Sequence, residues 1–212
     1  MTHDDLALYE TQIGAFLMVE DPSDSAHDIN HILRVVKVAK QIAKEEHAVL
    51  EVVVPAAWLH DCVSLAKNHP DRAKASTLAG DKAIIFLKSI GYPKSFFDAI
   101  HHAISAHSYS ADIAPTTLEA KIVQDADRLD ALGAIGVARC MQVSGALNRS
   151  LYSADDPFCL FRSADDRQFA IDHFYNKLFN IVDTLNTSSA RHEGQKRDVF
   201  MRAFIAQLAQ EI

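Results

Sequence analysis

The stretch INHILRVVKVAKQIAKEEH, residues 29–47, has the apolar spacing of a helix with one buried face. Its apolar side chains recur at intervals of three and four residues, and lysines and glutamates lie between them. Asp28 stands immediately before the stretch and is predicted to cap the helix, because an Asp carboxylate accepts hydrogen bonds from the first N–H groups. The face expected to be buried consists of Ile32, Val35, Val36, Ala39, Ile42 and Ala43.

Helical spacing recurs along most of the chain, and the alternation typical of strands is hard to find. Seven Gly and six Pro in 212 residues are few interruptions, so we predict an all-α protein. A single domain is expected over residues 1–212, with a core at about 25–145 and C-terminal helices 166–211 packed on it. The other predicted helices are Leu6–Val19, one starting near Pro55, 75–92 with Gly91 at its end, 93–108, 116–143 either unbroken or bent at Gly133–Gly136, 168–185 and 195–212.

Composition and charge indicate a globular protein with an acidic surface: 49% of the residues are apolar and the formal net charge is −7. Acidic excess disfavours polymeric nucleic acid, whose binding needs Lys and Arg on phosphates, but it permits a small anionic ligand in a basic pocket. Three cysteines without a C-x-x-C pair predict thiols in a reducing compartment. Because neither a signal peptide nor a membrane-spanning run is recognised, we expect a cytoplasmic protein without membrane contact. Apolar faces on several helices are compatible with a homodimer.

Four ionisable side chains fall in stretches predicted to be buried: His31, His60, Asp61 and Asp127. A buried ionisable group has to be paired, hydrogen-bonded or bound to a metal, because desolvating it alone is costly. Two imidazoles and two carboxylates form a mixed nitrogen and oxygen set that suits Mn, Fe, Zn, Co or Ni, with Mg as a further option. Each residue by itself is more often a satisfied or surface histidine or part of a solvated helix face, so the metal hypothesis requires the four to converge.

Three motifs carry a resemblance to a known family: HILRV at 31–35, WLHD at 58–61 and DADRLDALGAIGVAR at 125–139. They resemble the signatures of the HD superfamily of metal-dependent phosphohydrolases, whose metal is held by a His, a His-Asp pair and a distal Asp. The third motif, together with SAHS at 105–108 and KLFNIVDTLNT at 177–187, is similar to small single-domain bacterial members, some of which are nucleotide pyrophosphohydrolases. The resemblance spans most of residues 27–205 and implies an HD-type helical bundle.

The resemblance also implies a function. It favours a nucleoside triphosphate pyrophosphohydrolase with one divalent metal ion held by His31, His60, Asp61 and Asp127. The alternatives are a 5′-nucleotidase or phosphodiesterase of the same fold, and a metal- or nucleotide-binding module without turnover. A second ion held by His102 and His107 is a further alternative.

Roles for individual residues follow from a mechanism in which the metal activates water for attack on phosphorus. Asp61 is expected to bridge metal and nucleophile, and His107 or Asp130 is expected to assist proton transfer. Phosphate requires positive partners. Lys67, Arg72 and Lys74 follow the His-Asp pair in a polar stretch and could together form a basic rim around the site. The substrate-binding candidates are His27 at the mouth of the site, Lys67 and Arg72 after the His-Asp pair, and Lys177 and Arg197 by resemblance.

Overall fold

The computed structural model describes residues 2–19, 29–63, 65 and 69–212. The regular structure of these residues is helical, and the described residues contain no strand. Ser150 and Phe169 form an isolated backbone bridge. The predicted all-α class is confirmed. The helices are α1 (His3–Val19), α2 (Ile29–Glu45), α3 (Leu50–Leu59), α4 (Ala75–Ser89), α5 (Phe97–Ser105), α6 (Leu118–Leu129), α7 (Gly133–Ala146), α8 (Asp172–Asn176) and α9 (Ser188–Glu211).

None of these helices combines the length and the apolar character that crossing a bilayer requires, within the part of the chain that the structure describes. The chain divides into two compact units, Met1–Asp127 and Arg128–Ile212, and the division falls inside α6. The predicted single domain stays a prediction. Asp28, the predicted cap of α2, lies outside the described residues.

Helix α3 is the centre of the first unit. It packs against α1, α2 and α5, and α4 pairs with α5. Every residue from Val52 to Leu59 is buried, because the run VVVPAAWL offers apolar side chains on all faces of the helix. The predicted face of α2 is buried in full, from Ile32 to Ala43. These contacts fix the two helices on which His31 and His60 depend.

The predicted start of α3 near Pro55 is wrong, because the helix begins at Leu50 and Pro55 lies inside it. Proline lacks the N–H that would bond the carbonyl four residues earlier, here that of Glu51. Tyr92 Oη donates to that carbonyl at 2.7 Å. A residue 41 positions away therefore satisfies the oxygen that proline leaves unbonded, and the helix continues through Pro55.

A polar group on α1 ties three helices together. The carboxylate of Glu10 accepts from Trp58 Nε1 on α3 at 2.8 Å and pairs with Lys40 on α2. Trp58 is buried, and the indole N–H of a buried Trp needs such an acceptor. The end of α3, just before His60, is thereby held against α1 and α2.

Glycine breaks two of the helices where the sequence places it. Gly91 follows α4 with φ 73°, and Gly133 begins α7 with φ 71°, a left-handed backbone that glycine adopts without steric cost. Of the two alternatives for residues 116–143, the structure adopts two helices, α6 and α7. The predicted helix at 93–108 also ends early, at Ser105.

In the second unit α7 packs on α9. The prediction of one helix over 168–185 is wrong: α8 stops at Asn176, and two short 3-10 turns follow, Leu178–Asn180 and Val182–Thr184. Asn180 Nδ2 donates to the carbonyls of Tyr175 and Asn176 at 3.2 and 3.3 Å. An Asn side chain that takes backbone carbonyls competes with helix continuation.

Helix α9 starts at Ser188, seven residues before the predicted start at Gln195. Thr187 caps it, because its Oγ1 accepts from Ala190 N at 3.3 Å.

Candidate metal centre

Four side chains predicted as metal ligands meet in the first unit, each near the end of a helix. His31 lies in the first turn of α2, His60 caps α3, Asp61 follows it, and Asp127 lies in the last turn of α6. Asp61 lies outside the helix, because α3 ends at Leu59. The two histidines are buried, whereas the carboxylates of Asp61 and Asp127 are 17% and 31% exposed. Buried nitrogens therefore face carboxylates that solvent can reach.

The distances bring two nitrogens and two carboxylates into one cluster. His31 Nε2 lies 3.4 Å from Asp127 Oδ1 and 3.9 Å from Asp61 Oδ2. His60 Nε2 lies 3.5 Å from Asp61 Oδ2 and 3.9 Å from Asp127 Oδ1. The ligand atoms of His31, His60 and Asp127 all fall within 4.8 Å of one another, so a single ion placed between them could contact several at once.

His107 completes the cluster from the turn after α5. It is buried, and its Nε2 lies 3.3 Å from Asp61 Oδ1. With His60 and Asp61 it forms a second group whose ligand atoms lie within 4.8 Å of one another. His102 points elsewhere: its Nε2 accepts from Thr116 N at 3.0 Å. The arrangement gives no support to a second ion held by His102 and His107 together.

Backbone carbonyls fix the orientation of two imidazoles. His60 Nδ1 lies 2.9 Å from Ala57 O, and His107 Nδ1 lies 2.6 Å from Ile104 O. Because a carbonyl can only accept, each Nδ1 carries the hydrogen, and in the neutral ring Nε2 keeps its lone pair. Both lone pairs face the carboxylate of Asp61. The helix ends thus prepare two nitrogens to act as ligands or proton acceptors.

The local electrostatics set the protonation states that a metal needs. Burial holds the pKa of His60 below its usual value, against the opposing charge of Asp61. Burial alone would raise the pKa of Asp127, but its hydrogen bond with His31 and the charges of the neighbouring imidazoles lower it to about 2. Near pH 7 the Asp127 carboxylate is ionised and the His60 ring is neutral, and metals bind these forms.

The donor set fits a divalent metal ion. His60 Nε2 is fully buried and has no hydrogen-bond partner among the described residues. A buried polar atom of this kind is costly to leave unsatisfied, and a metal ion would satisfy it. Imidazole nitrogen with carboxylate oxygen suits first-row transition metals.

The remaining predicted residues occupy different places. Arg72 lies in the turn Arg72–Lys74, where its Nη1 donates to Leu65 O at 2.9 Å, and Lys74 pairs with Asp71. Three others belong to the second unit. Asp130 is bonded to Arg139 Nη1, Arg197 donates to Leu129 O at 2.7 Å, and Lys177 is exposed at the end of α8. His27 and Lys67 lie outside the described residues, and the roles of all these residues stay predictions.

Two supporting residues were not recognised in the sequence. Gln124 Nε2 donates to Ala106 O at 2.7 Å, and Ser76 Oγ donates to Ser105 O at 2.9 Å. Both residues are buried, and they satisfy the last carbonyls of α5 just before His107. Gln124 offers one signal, since it lies three residues before Asp127 and hence on the same face of α6. Ser76 offers none.

Known proteins share this arrangement of helices. A model of the HD domain family matches residues 28–132. The YpgQ protein of Bacillus subtilis is 35% identical over 192 residues, which cover 89% of this chain and 85% of YpgQ. The chain belongs to the HD domain family.

Solved structures related to this HD domain extend the match over nearly the whole chain. The crystal structure of B. subtilis YpgQ in complex with ADP has a TM-score of 0.72 at 33% identity and covers 96% of this chain and 94% of that one. An HD-superfamily hydrolase from Bacillus thuringiensis has a TM-score of 0.77 at 30% identity, with 97% of both chains covered. The predicted HD fold and the predicted enzyme class, a metal-dependent phosphohydrolase, are confirmed.

Proposed function

We propose that this HD domain hydrolyses nucleoside triphosphates to the monophosphate and pyrophosphate, with one divalent transition-metal ion held by His31, His60, Asp61 and Asp127. The observation that carries the proposal is the cluster itself, in which two imidazole Nε2 atoms and two carboxylates meet within 3.4–3.9 Å. A nucleotide as ligand is supported by the ADP complex of YpgQ. The acidic net charge supports a small ligand over polymeric nucleic acid.

The proposal assigns the cluster its chemistry through the ion it would hold. When bound, a divalent ion acts as a Lewis acid, lowers the pKa of water and neutralises phosphate charge. His31 and His60 would contribute ring nitrogens from buried positions, and burial favours the neutral form of His60. Asp61 and Asp127 contribute the negative charge and lie where solvent and ligand can enter.

His107 is the proposed proton acceptor. Its Nδ1–H is held by Ile104 O, so Nε2 presents the lone pair that takes a proton from the attacking water. Asp61 Oδ1, 3.3 Å from that Nε2, stabilises the imidazolium that results. The second oxygen of Asp61 faces His31 and His60. Asp130 stays the second candidate for proton transfer.

The phosphate groups need cationic partners, and the turn Arg72–Lys74 offers two. A guanidinium carries five N–H donors, so Arg72 keeps donors for phosphate beyond the one that bonds Leu65 O. His27, Lys67, Lys177 and Arg197 complete the proposed substrate-binding set.

The test is a product assay on protein purified without chelator and reloaded with Mn²⁺. Metal content is measured by mass spectrometry, and the products from tri-, di- and monophosphates are separated by anion exchange. We expect one ion per chain, and pyrophosphate with monophosphate from triphosphates. Phosphate released from monophosphates would indicate a nucleotidase instead, and binding without turnover would indicate a non-catalytic module.

One matched pair of variants tests the assignment of the site. Asp61→Asn should lose most activity, whereas Asp98→Asn, at an exposed position in the first turn of α5, should keep it. Full activity in Asp61→Asn, or no metal after reconstitution, would contradict the proposed site.

A further inference from the structure

Tyr109 is 87% exposed in a segment that begins just after the metal cluster. It follows the buried His107 by two residues, and the Ser108 between them has an extended backbone, φ −78° and ψ 130°. Two residues of chain span at most about 7 Å, so the Cα of Tyr109 lies within that distance of the Cα of His107. The ring therefore starts within reach of a ligand whose phosphates contact the cluster. Single exposed aromatics are common on proteins, so position gives this one its significance.

The turn that carries Tyr109 is held at both ends. Ser108 Oγ lies 3.0 Å from Ser110 Oγ, and Ala111 N donates to Ser108 O at 3.3 Å. Asp112 closes the turn with a left-handed backbone, φ 53°. Farther along, Thr116 N and Oγ1 bond His102 Nε2 at 3.0 and 2.9 Å. Because the backbone is already ordered, binding a ligand on Tyr109 requires little further loss of chain entropy.

One of the two neighbours of this turn carries basic residues. The turn Tyr109–Ala111 packs against the turn Arg72–Lys74 and against α4. Arg72 and Lys74 are proposed partners for phosphate, so phosphates between them and the cluster would leave the rest of the ligand next to Tyr109. The phenol ring makes no hydrogen bond and no ring contact with the described residues, and 87% exposure leaves its face open to a planar group.

We propose that Tyr109 stacks on the base of the nucleotide whose phosphates contact the His-Asp cluster. The inference rests on the proposed function for the identity of the ligand. Base stacking on an aromatic ring needs no particular hydrogen-bond pattern, because every base has a π face. Tyr109 therefore selects nucleotides over phosphate compounds without a base, and it tolerates both purines and pyrimidines.

The experiment separates the base from the phosphates. Binding of ADP, CDP and inorganic tripolyphosphate to Mn²⁺-loaded protein is measured by calorimetry, and KM is measured for ATP and CTP. In Tyr109→Ala, binding of both nucleotides should weaken about 5- to 100-fold, while tripolyphosphate binds as before. Tyr109→Phe should retain wild-type binding because it keeps the ring. Ile85→Ala is the control, an exposed apolar residue of α4 that lies about 15 Å along the helix from Ala75.

The outcomes distinguish the inference from the proposed function. Equal nucleotide binding in wild type and Tyr109→Ala overturns the stacking role, even if hydrolysis is intact. Loss of tripolyphosphate binding along with nucleotide binding also overturns it, because the residue would then serve the phosphates or the fold. If wild type binds nucleotides through Tyr109 but releases no product, stacking stands and the hydrolytic proposal fails. If wild type binds no nucleotide, both fail.

Discussion

His107 Nε2 lies 3.3 Å from one oxygen of Asp61, and the other oxygen of that carboxylate lies 3.5 Å from His60 Nε2. One carboxylate thus links the predicted metal ligands to a histidine from a different helix end. Mutation can separate metal binding from proton transfer, because His107 lies outside the proposed four-ligand set.

His107→Gln is therefore expected to lower kcat by about 100- to 10,000-fold, the usual contribution of a general base, with metal content unchanged. Steady-state kinetics and metal analysis of the same preparation check the prediction. His192→Gln, at an exposed position on α9, is the control and should behave as wild type. Loss of the ion in His107→Gln would instead place His107 among the ligands and favour two ions.

Gln124→Met removes the donor to Ala106 O while nearly keeping the side-chain volume. The carbonyl then stays buried without that bond, so we expect about 1–3 kcal/mol lower stability and weaker metal binding, because Gln124 holds the backbone before His107. Urea unfolding and metal titration measure the two effects. Gln41→Met, which removes an exposed bond to Glu45, should change neither. Unchanged metal affinity in Gln124→Met would limit the residue to a role in stability.

Gly80 allows α4 and α5 to approach each other closely. A Cβ at this position would lie 3.0 Å from His101 Cδ2 and 3.1 Å from Ser105 Oγ. Gly80→Ala should lower stability by about 1–3 kcal/mol, as overpacking does, and should reduce activity by displacing α5. Adding His101→Ala removes most of the clash, so the double variant should recover part of the stability lost in Gly80→Ala. Thermal unfolding of the single and double variants measures this recovery. If the double variant is no more stable than Gly80→Ala, the clash with His101 is not the cause of the lost stability.

In the second unit the buried Asp172 pairs with Arg162, whose side chain is 24% exposed, and Arg162 Nη2 donates to Asp172 Oδ1 at 2.8 Å. Burial alone would raise the pKa of Asp172, but the hydrogen bonds from Arg162 and from Asp165 N hold it below its usual value of 3.8. A lowered folded pKa means that the ionised pair stabilises the fold above about pH 3.8 and that this contribution disappears as the pH falls through the folded pKa.

Asp172→Asn should therefore be less stable than wild type by about 3 kcal/mol at pH 7, and the difference should shrink below pH 4. Unfolding by urea at several pH values measures it. Asp71→Asn, in an exposed pair with Lys74, should leave stability unchanged. A stability difference for Asp172→Asn that does not depend on pH would show that the carboxylate charge is not responsible.

Much of the fold could be predicted because its helices are amphipathic or apolar throughout. The buried face of α2, from Ile32 to Ala43, is predicted from the spacing of its apolar residues alone, because these recur with the period of a helix. The start of α3 was not predictable, because the helix depends on Tyr92 bonding Glu51 O from 41 residues away. The end of α8 was not predictable either. The apolar residues at 168–185 predict one continuous helix, but the Asn180 side chain bonds backbone carbonyls and the helix stops at Asn176.

The candidate site divides in the same way. Residue type and order indicate His31, His60, Asp61 and Asp127, because imidazole and carboxylate are common metal ligands and the motifs fix their order. Residues that support the site by bonding the backbone could not be predicted in this way. Gln124 and Ser76 donate to backbone carbonyls, and their residue types do not distinguish them from other polar residues. Which side chains bind phosphate depends on the conformation of the loops. The spacing of apolar residues carries no information about that conformation.

The carbonyl contacts of His60 and His107 have a spectroscopic consequence. Each Nδ1–H is buried in a hydrogen bond of 2.9 or 2.6 Å, and protons protected in this way exchange slowly with water. Both should give resolved downfield signals in proton spectra recorded in water. Since Nε2 of the same rings faces the cluster, the two signals should shift when an ion is added, so the protein carries an internal reporter of its own occupancy.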